Sequence, residues 1–138
     1  MLLFQINFWA ILLCVVIYNA IGGAWYSPLL FGKAWGKLKG FKDGENKIPV
    51  AGLISSAIGS LFVTLFLAIF ISKIKADTWF TGTSIGILFG VSLLIVNINN
   101  VFYTPKENFK NALELFWVDN LYNLLAYSII ATVLTIWK

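Results

Sequence analysis

The stretch FWVDNLYNLLAYSII, residues 116–130, sets a carboxylate, two amides and two phenols into an otherwise greasy run. Asp119, Asn123 and Tyr127 recur every fourth residue and Asn120 lies on the same flank, so one side of a helix would carry all of them. A second stretch, VNINNVFYTP at 96–105, ends a long apolar segment with Asn97, Asn99 and Asn100. In oil, such groups can hydrogen-bond between helices, line a polar pocket, or hold a proton or small solute. A carboxylate inside hydrocarbon is costly, which makes Asp119 the functional candidate; one turn inside the boundary, it can also snorkel to water.

The missing residue types narrow the chemistry further. The 138 residues include no histidine, so the commonest general base and metal ligand is absent. The lone cysteine, Cys14, permits no internal disulfide and no thiolate metal cluster, and its apolar neighbours suggest simple packing. No nucleotide-binding glycine loop, no Ser/His/Asp set and no carboxylate cluster for two metals is present. The chain therefore reads as non-enzymatic and without a cofactor. The net charge of +4 comes from ten lysines, with no arginine, against six acids. The lysines fall between apolar runs, where they suit lipid headgroups; nucleic acid is not an expected partner.

These polar residues must be positioned by membrane helices. Hydrophobic residues make up 59% of the chain and charged ones only 12%, the balance of a membrane protein of one compact unit. Four segments reach the roughly 20 apolar residues needed to span a bilayer: about 6–26, 50–72, 81–102 and 115–137. The first lacks a basic leader, and Leu13 stands where a lipid-attachment site wants a small residue before Cys14, so it is expected to stay as a span. Trp9, Trp25, Trp79, Trp117 and Trp137 fall near the expected helix ends, as interfacial anchors do. Between the first two spans, about 28–41, Phe31, Ala34, Trp35, Leu38 and Phe41 share one helical face opposite Lys33 and Lys37. That pattern predicts a short amphipathic helix on the membrane surface, against the resistance of Gly32, Gly36 and Gly40. The expected fold is thus all-α: a polytopic bundle of four transmembrane helices with an interfacial helix between the first and second. Seven lysines lie in the first and third connections and three on the other side, which predicts those connections cytoplasmic and both termini outside.

On this frame the polar residues gather at one level. Rising 1.5 Å per residue from a span centre near residue 91, Asn97 lies roughly 9 Å and Asn100 roughly 14 Å from mid-membrane. Gly82, Gly86, Gly90, Asn97 and Asn100 fall within an arc of about 80°, so both amides are expected to face the bundle. The glycines, four residues apart, allow close packing against a helix of this chain or of another copy. Asn19, with Gly22, Gly23 and Tyr26, and Ser55 and Ser56, with Gly52 and Gly59, add small or polar faces from the first two spans. Two readings stay open for Asn19, Ser55, Ser56, Asn97, Asn100, Asp119, Asn120, Asn123 and Tyr127. They hydrogen-bond helices together, or they line a pocket or pathway toward the cytoplasm.

The run GGAWYSPLLFGKAW, residues 22–35, resembles the signature of a bacterial family of small four-span membrane proteins known only as a domain of unknown function, number seventeen sixty-one. DNLYNLL, 119–125, resembles that family's C-terminal segment. The matching residues are Gly22, Trp25, Tyr26, Ser27, Pro28, Gly32, Lys33 and Trp35. The resemblance implies a fold and a size but no activity; the expected setting is a bacterial inner membrane. Read as a local structure, Trp25–Tyr26–Ser27–Pro28 is a helix exit at the interface or, alternatively, a re-entrant lip over the polar level. The function expected is binding or conduction of a small solute, ion or proton by a homo-oligomer. The alternative is a structural or accessory protein that binds lipid or a partner subunit.

Overall fold

The computed structural model describes residues 6–42 and 49–137; Lys47 and Lys138, which enter the lysine count, lie outside them. The fold is all-α. Helix α1 spans Phe8–Trp25, α2 Gly32–Leu38, α3 Val50–Ile74, α4 Trp79–Phe102 and α5 Phe109–Ile136, with a 3-10 turn at Lys106–Asn108. Local chemistry sets the boundaries. The Asn7 side chain accepts hydrogen bonds from the backbone N–H groups of Trp9 and Ala10, and that of Thr78 accepts one from Thr81. Pro49 and Pro105 stand immediately before α3 and the 3-10 turn, where a missing N–H costs no bond. Helix α3 ends at Lys75 in the left-handed conformation, φ 54°, while the Ala76 N–H reaches back to the Ile71 carbonyl.

Helix α5 occupies the middle of the bundle and touches α1, α2, α3 and α4. Its Ala126, Ile130 and Ala131 are wholly buried. The most extensive pairing is with α4, and the glycines explain it. A Cβ added at Gly86 would run into the backbone of Tyr127 and Ser128, one at Gly82 into Thr135 and the Ala131 carbonyl, and one at Gly90 into Leu124. The glycine face therefore packs within the chain, against α5. Helix α3 behaves differently along its length. Thr64, Leu67, Ala68 and Ile71 are buried, whereas every residue from Val50 to Gly59 except Ser56 is exposed. Gly52 and Gly59, expected to pack, lie in that exposed half, and a Cβ at Gly59 would meet nothing within 4 Å.

Three helices, α1, α3 and α4, are long and apolar enough to cross a membrane. Helix α5 is the longest but is diluted by Asp119, Asn120 and Asn123, and it starts at Phe109, well before the expected Leu115. Trp117 accordingly lies inside a helix and not at its end. Its first turns carry an exposed Lys110–Glu114 pair at 3.9 Å, too open to water to add much stability.

Helix α2 is shorter than the expected 28–41, because Pro28 to Phe31 form turns instead. Its inner face also differs. Gly32 and Gly36 are buried, Trp35 and Leu38 half-buried, and Ala34, Lys33 and Lys37 exposed. A Cβ on Gly32 would strike the Tyr26 carbonyl and the Ser27 backbone, so here a glycine is required by close approach. Gly32, unfavourable in a surface helix, is what lets this one dock.

Candidate functional site

The polar residues meet at one end of the bundle, where α1 and α4 finish and α5 begins. They do so as three separate seams. Between α4 and α5, Asn97 Nδ2 donates to Asn120 Oδ1 at 2.9 Å, and Asn120 Nδ2 donates to the Phe116 carbonyl at 2.8 Å. Between α1 and α3, Asn19 Nδ2 donates to Ser60 Oγ at 3.0 Å while its Oδ1 accepts from Ser56 Oγ at 3.1 Å. Between α1 and α5, the Tyr18 hydroxyl donates to Asn123 Oδ1 and the Tyr26 hydroxyl to Asp119 Oδ1, both at 2.7 Å.

The α1–α5 seam is the densest. The Trp25 indole N–H donates to the Val118 carbonyl at 2.9 Å, and the Tyr122 hydroxyl to the Tyr18 carbonyl at 3.1 Å. Gly22 gives Tyr122 its room, since a Cβ there would lie 3.0 Å from the Tyr122 hydroxyl oxygen. Rings fill the remainder. Tyr18 packs edge-on to Tyr122 at 5.1 Å and stacks on Tyr127 at 5.8 Å, and Tyr26 meets Tyr122 at 5.5 Å and Trp35 at 5.3 Å. The turn after α1 holds α2 in place over this seam. Ser27 Oγ donates to the Ala24 carbonyl at 2.7 Å, and the N–H groups of Phe31 and Gly32 donate to the Trp25 and Ser27 carbonyls at 3.0 Å. So the two segments singled out in the sequence, 22–35 and 119–125, pack against each other although far apart along the chain.

Several expected members stand elsewhere. Asn100 is exposed, contrary to the expectation that it faces the bundle; the buried row of α4 runs from Asn97 to Val101, four residues on, and not three. Ser55 is also exposed and bonds only to the Gly52 carbonyl in its own helix. Tyr127 is buried as an aromatic core residue, between Tyr18 and Phe89. Lys33 and Pro28 are exposed. Tyr18, Ser60 and Tyr122 were missed, yet Tyr18 shares a helical face with Gly22 and Trp25, a signal available from spacing alone. Thr64 was missed too. Its Oγ1 is buried without a hydrogen-bond partner among the described residues.

Asp119 stands apart within the cluster. It is half-buried, its Oδ1 is taken by Tyr26, and its Oδ2 has no hydrogen-bond or ion-pair partner among the described residues. The amides of Asn19, Asn97, Asn120 and Asn123 by contrast are engaged across helices. Among the described residues no group of three or more His, Cys, Asp or Glu side chains gathers to hold a metal.

Fold and site together define a small α-helical protein with three membrane-capable helices and an aromatic, hydrogen-bonded seam at one end of the bundle. The chain belongs to the family described as "Protein of unknown function (DUF1761)", whose model matches residues 9–135. No curated protein and no solved structure matches it.

Proposed function

We propose that this is a non-enzymatic multi-pass membrane protein that binds, and passes across part of the membrane, a small cationic solute or proton at Asp119. The observation that carries this reading is the state of that carboxylate, one oxygen held by Tyr26 at 2.7 Å and the other unpaired among the described residues. In this reading α5 is a fourth span. Its polar residues are tolerable because the neighbouring helices supply their partners. Helix α2 lies at the membrane surface with Lys33 and Lys37 toward the headgroups. The lysine bias favours the cytoplasmic side for the site, in what we read as a bacterial inner membrane. The exposed half of α3, Val50 to Gly59, is available for a second copy, so the working unit is a homo-oligomer.

A structural or accessory role is the second reading, supported by the amides. Asn97, Asn120, Asn123 and Asn19 are each bonded across a helix pair, as residues that only join helices would be. Flux of protons and small cations into proteoliposomes separates the two. Loss of flux in correctly inserted Asp119→Asn, with oligomer size unchanged, supports the pathway. Wild-type flux no greater than that of empty liposomes leaves the structural role.

A further inference from the structure

We propose that the cation recognised at Asp119 is an organic ammonium, the headgroup amine of a lipid or a free alkylamine, held between the carboxylate and the rings of Tyr26, Tyr122 and Trp35. This rests on the reading of Asp119 as a binding residue and adds the chemical class of what it binds. Three observations converge. The carboxylate has a free oxygen among the described residues, and no lysine is paired with it there. It is held by the hydroxyl of a tyrosine whose own ring contacts Tyr122 at 5.5 Å and Trp35 at 5.3 Å, so the group that holds it belongs to an aromatic cluster. Finally, the Lys39 ammonium lies 5.7 Å from the Trp35 ring centre, so one ring of this cluster already attracts an ammonium group of the chain itself.

The ligand class follows from the donor set. A calcium or magnesium ion needs six or more hard oxygens, and here one carboxylate and phenols are on offer. An alkylammonium ion is less strongly hydrated, and the electron-rich ring faces and a single carboxylate together match its charge. The position fits as well. The site lies where α1 leaves the bundle, under α2 with its exposed Lys33 and Lys37, so a zwitterionic lipid could place its phosphate on the lysines and its amine below.

The test uses the full chain in phosphatidylglycerol nanodiscs, which contribute no amine, with ethylammonium and tetramethylammonium chloride as probes. The indole N–H resonances of Trp25 and Trp35 report binding. We expect a saturable shift that sodium chloride at equal ionic strength does not produce. Affinity should fall at least tenfold in Asp119→Asn and several-fold in Tyr26→Phe. Should Asp119→Asn fail to insert, Trp35→Leu replaces it, with a several-fold loss expected. Phosphatidylethanolamine in the nanodisc that produces the same shift and blocks the free amine marks the lipid as the source. A titration unaffected by that lipid marks a free amine. No saturable response, an equal response to sodium, or an affinity unchanged by these substitutions overturns the proposal. Ion flux that depends on Asp119 but occurs without ammonium binding would overturn this inference alone and leave the proposed function standing.

Discussion

The two long seams that α5 makes, one with α4 and one with α1, are held by different physics. Along α4 the contact is close and small: Gly82, Gly86 and Gly90 bring backbone against backbone, with Thr83 and Thr132 hydroxyls 2.7 Å apart and the Asn97–Asn120 bond at one end. Along α1 the contact is aromatic and hydrogen-bonded, and Tyr18, Trp25, Tyr26 and Tyr122 all donate across it. Where oil surrounds everything, apolar burial gives helices little reason to associate, so close van der Waals contact and hydrogen bonds must do so. The α4 seam uses mainly the first and reads as scaffold. The α1 seam uses mainly the second and leaves one carboxylate oxygen over.

Breaking the scaffold seam should have the largest effect on stability. Gly86→Leu forces the α4 and α5 backbones apart and should destabilise the fold by about 3 kcal/mol, the upper end of ordinary overpacking. The same change at Gly59, which faces open space, should stay within about 0.5 kcal/mol. Unfolding midpoints in mixed micelles compare the two; an equal loss at both positions would remove the glycine face as the cause.

The hydrogen-bonded partners come next. Asn97→Leu leaves Asn120 Oδ1 without a donor, and Asn123→Leu leaves the Tyr18 hydroxyl without an acceptor, so each should cost about 1 kcal/mol. Their consequences for flux should diverge, with Asn97→Leu near wild type and Asn123→Leu impaired, because Asn123 bonds to Asp119 itself, through its carbonyl, whereas Asn97 bonds to the neighbouring Asn120. Equal flux in the two variants would end the functional distinction between the seams.

The smallest effect expected is a gain. Thr64→Val removes a buried hydroxyl that finds no partner among the described residues, and should stabilise the protein by up to about 1 kcal/mol. A loss of stability there would mean that the hydroxyl has a partner, such as an ordered water.

Much of this arrangement was legible along the chain. The apolar runs located α1, α3 and α4 to within a few residues, because length and hydropathy are local properties. The glycine face was legible as a packing face, but its partner was not, since spacing says which side of a helix is narrow and never what lies against it. Asn97 and Asn100 show the limit more sharply. A helical wheel puts both inside, whereas the inclined contact row of α4 passes through Val101 and leaves Asn100 exposed.

The sequence by itself determined an all-α, lipid-compatible chain, a carboxylate set among amides, and two motif-bearing segments far apart in number. Only the tertiary structure decided that those segments face one another, that α4 spends its glycines on α5, and that the asparagines divide into three pairwise seams. The physical reason is the range of each force. Hydropathy and capping act within a turn or two, so they are written residue by residue. The pairing of Tyr26 with Asp119, 93 residues apart, depends instead on which helices become neighbours.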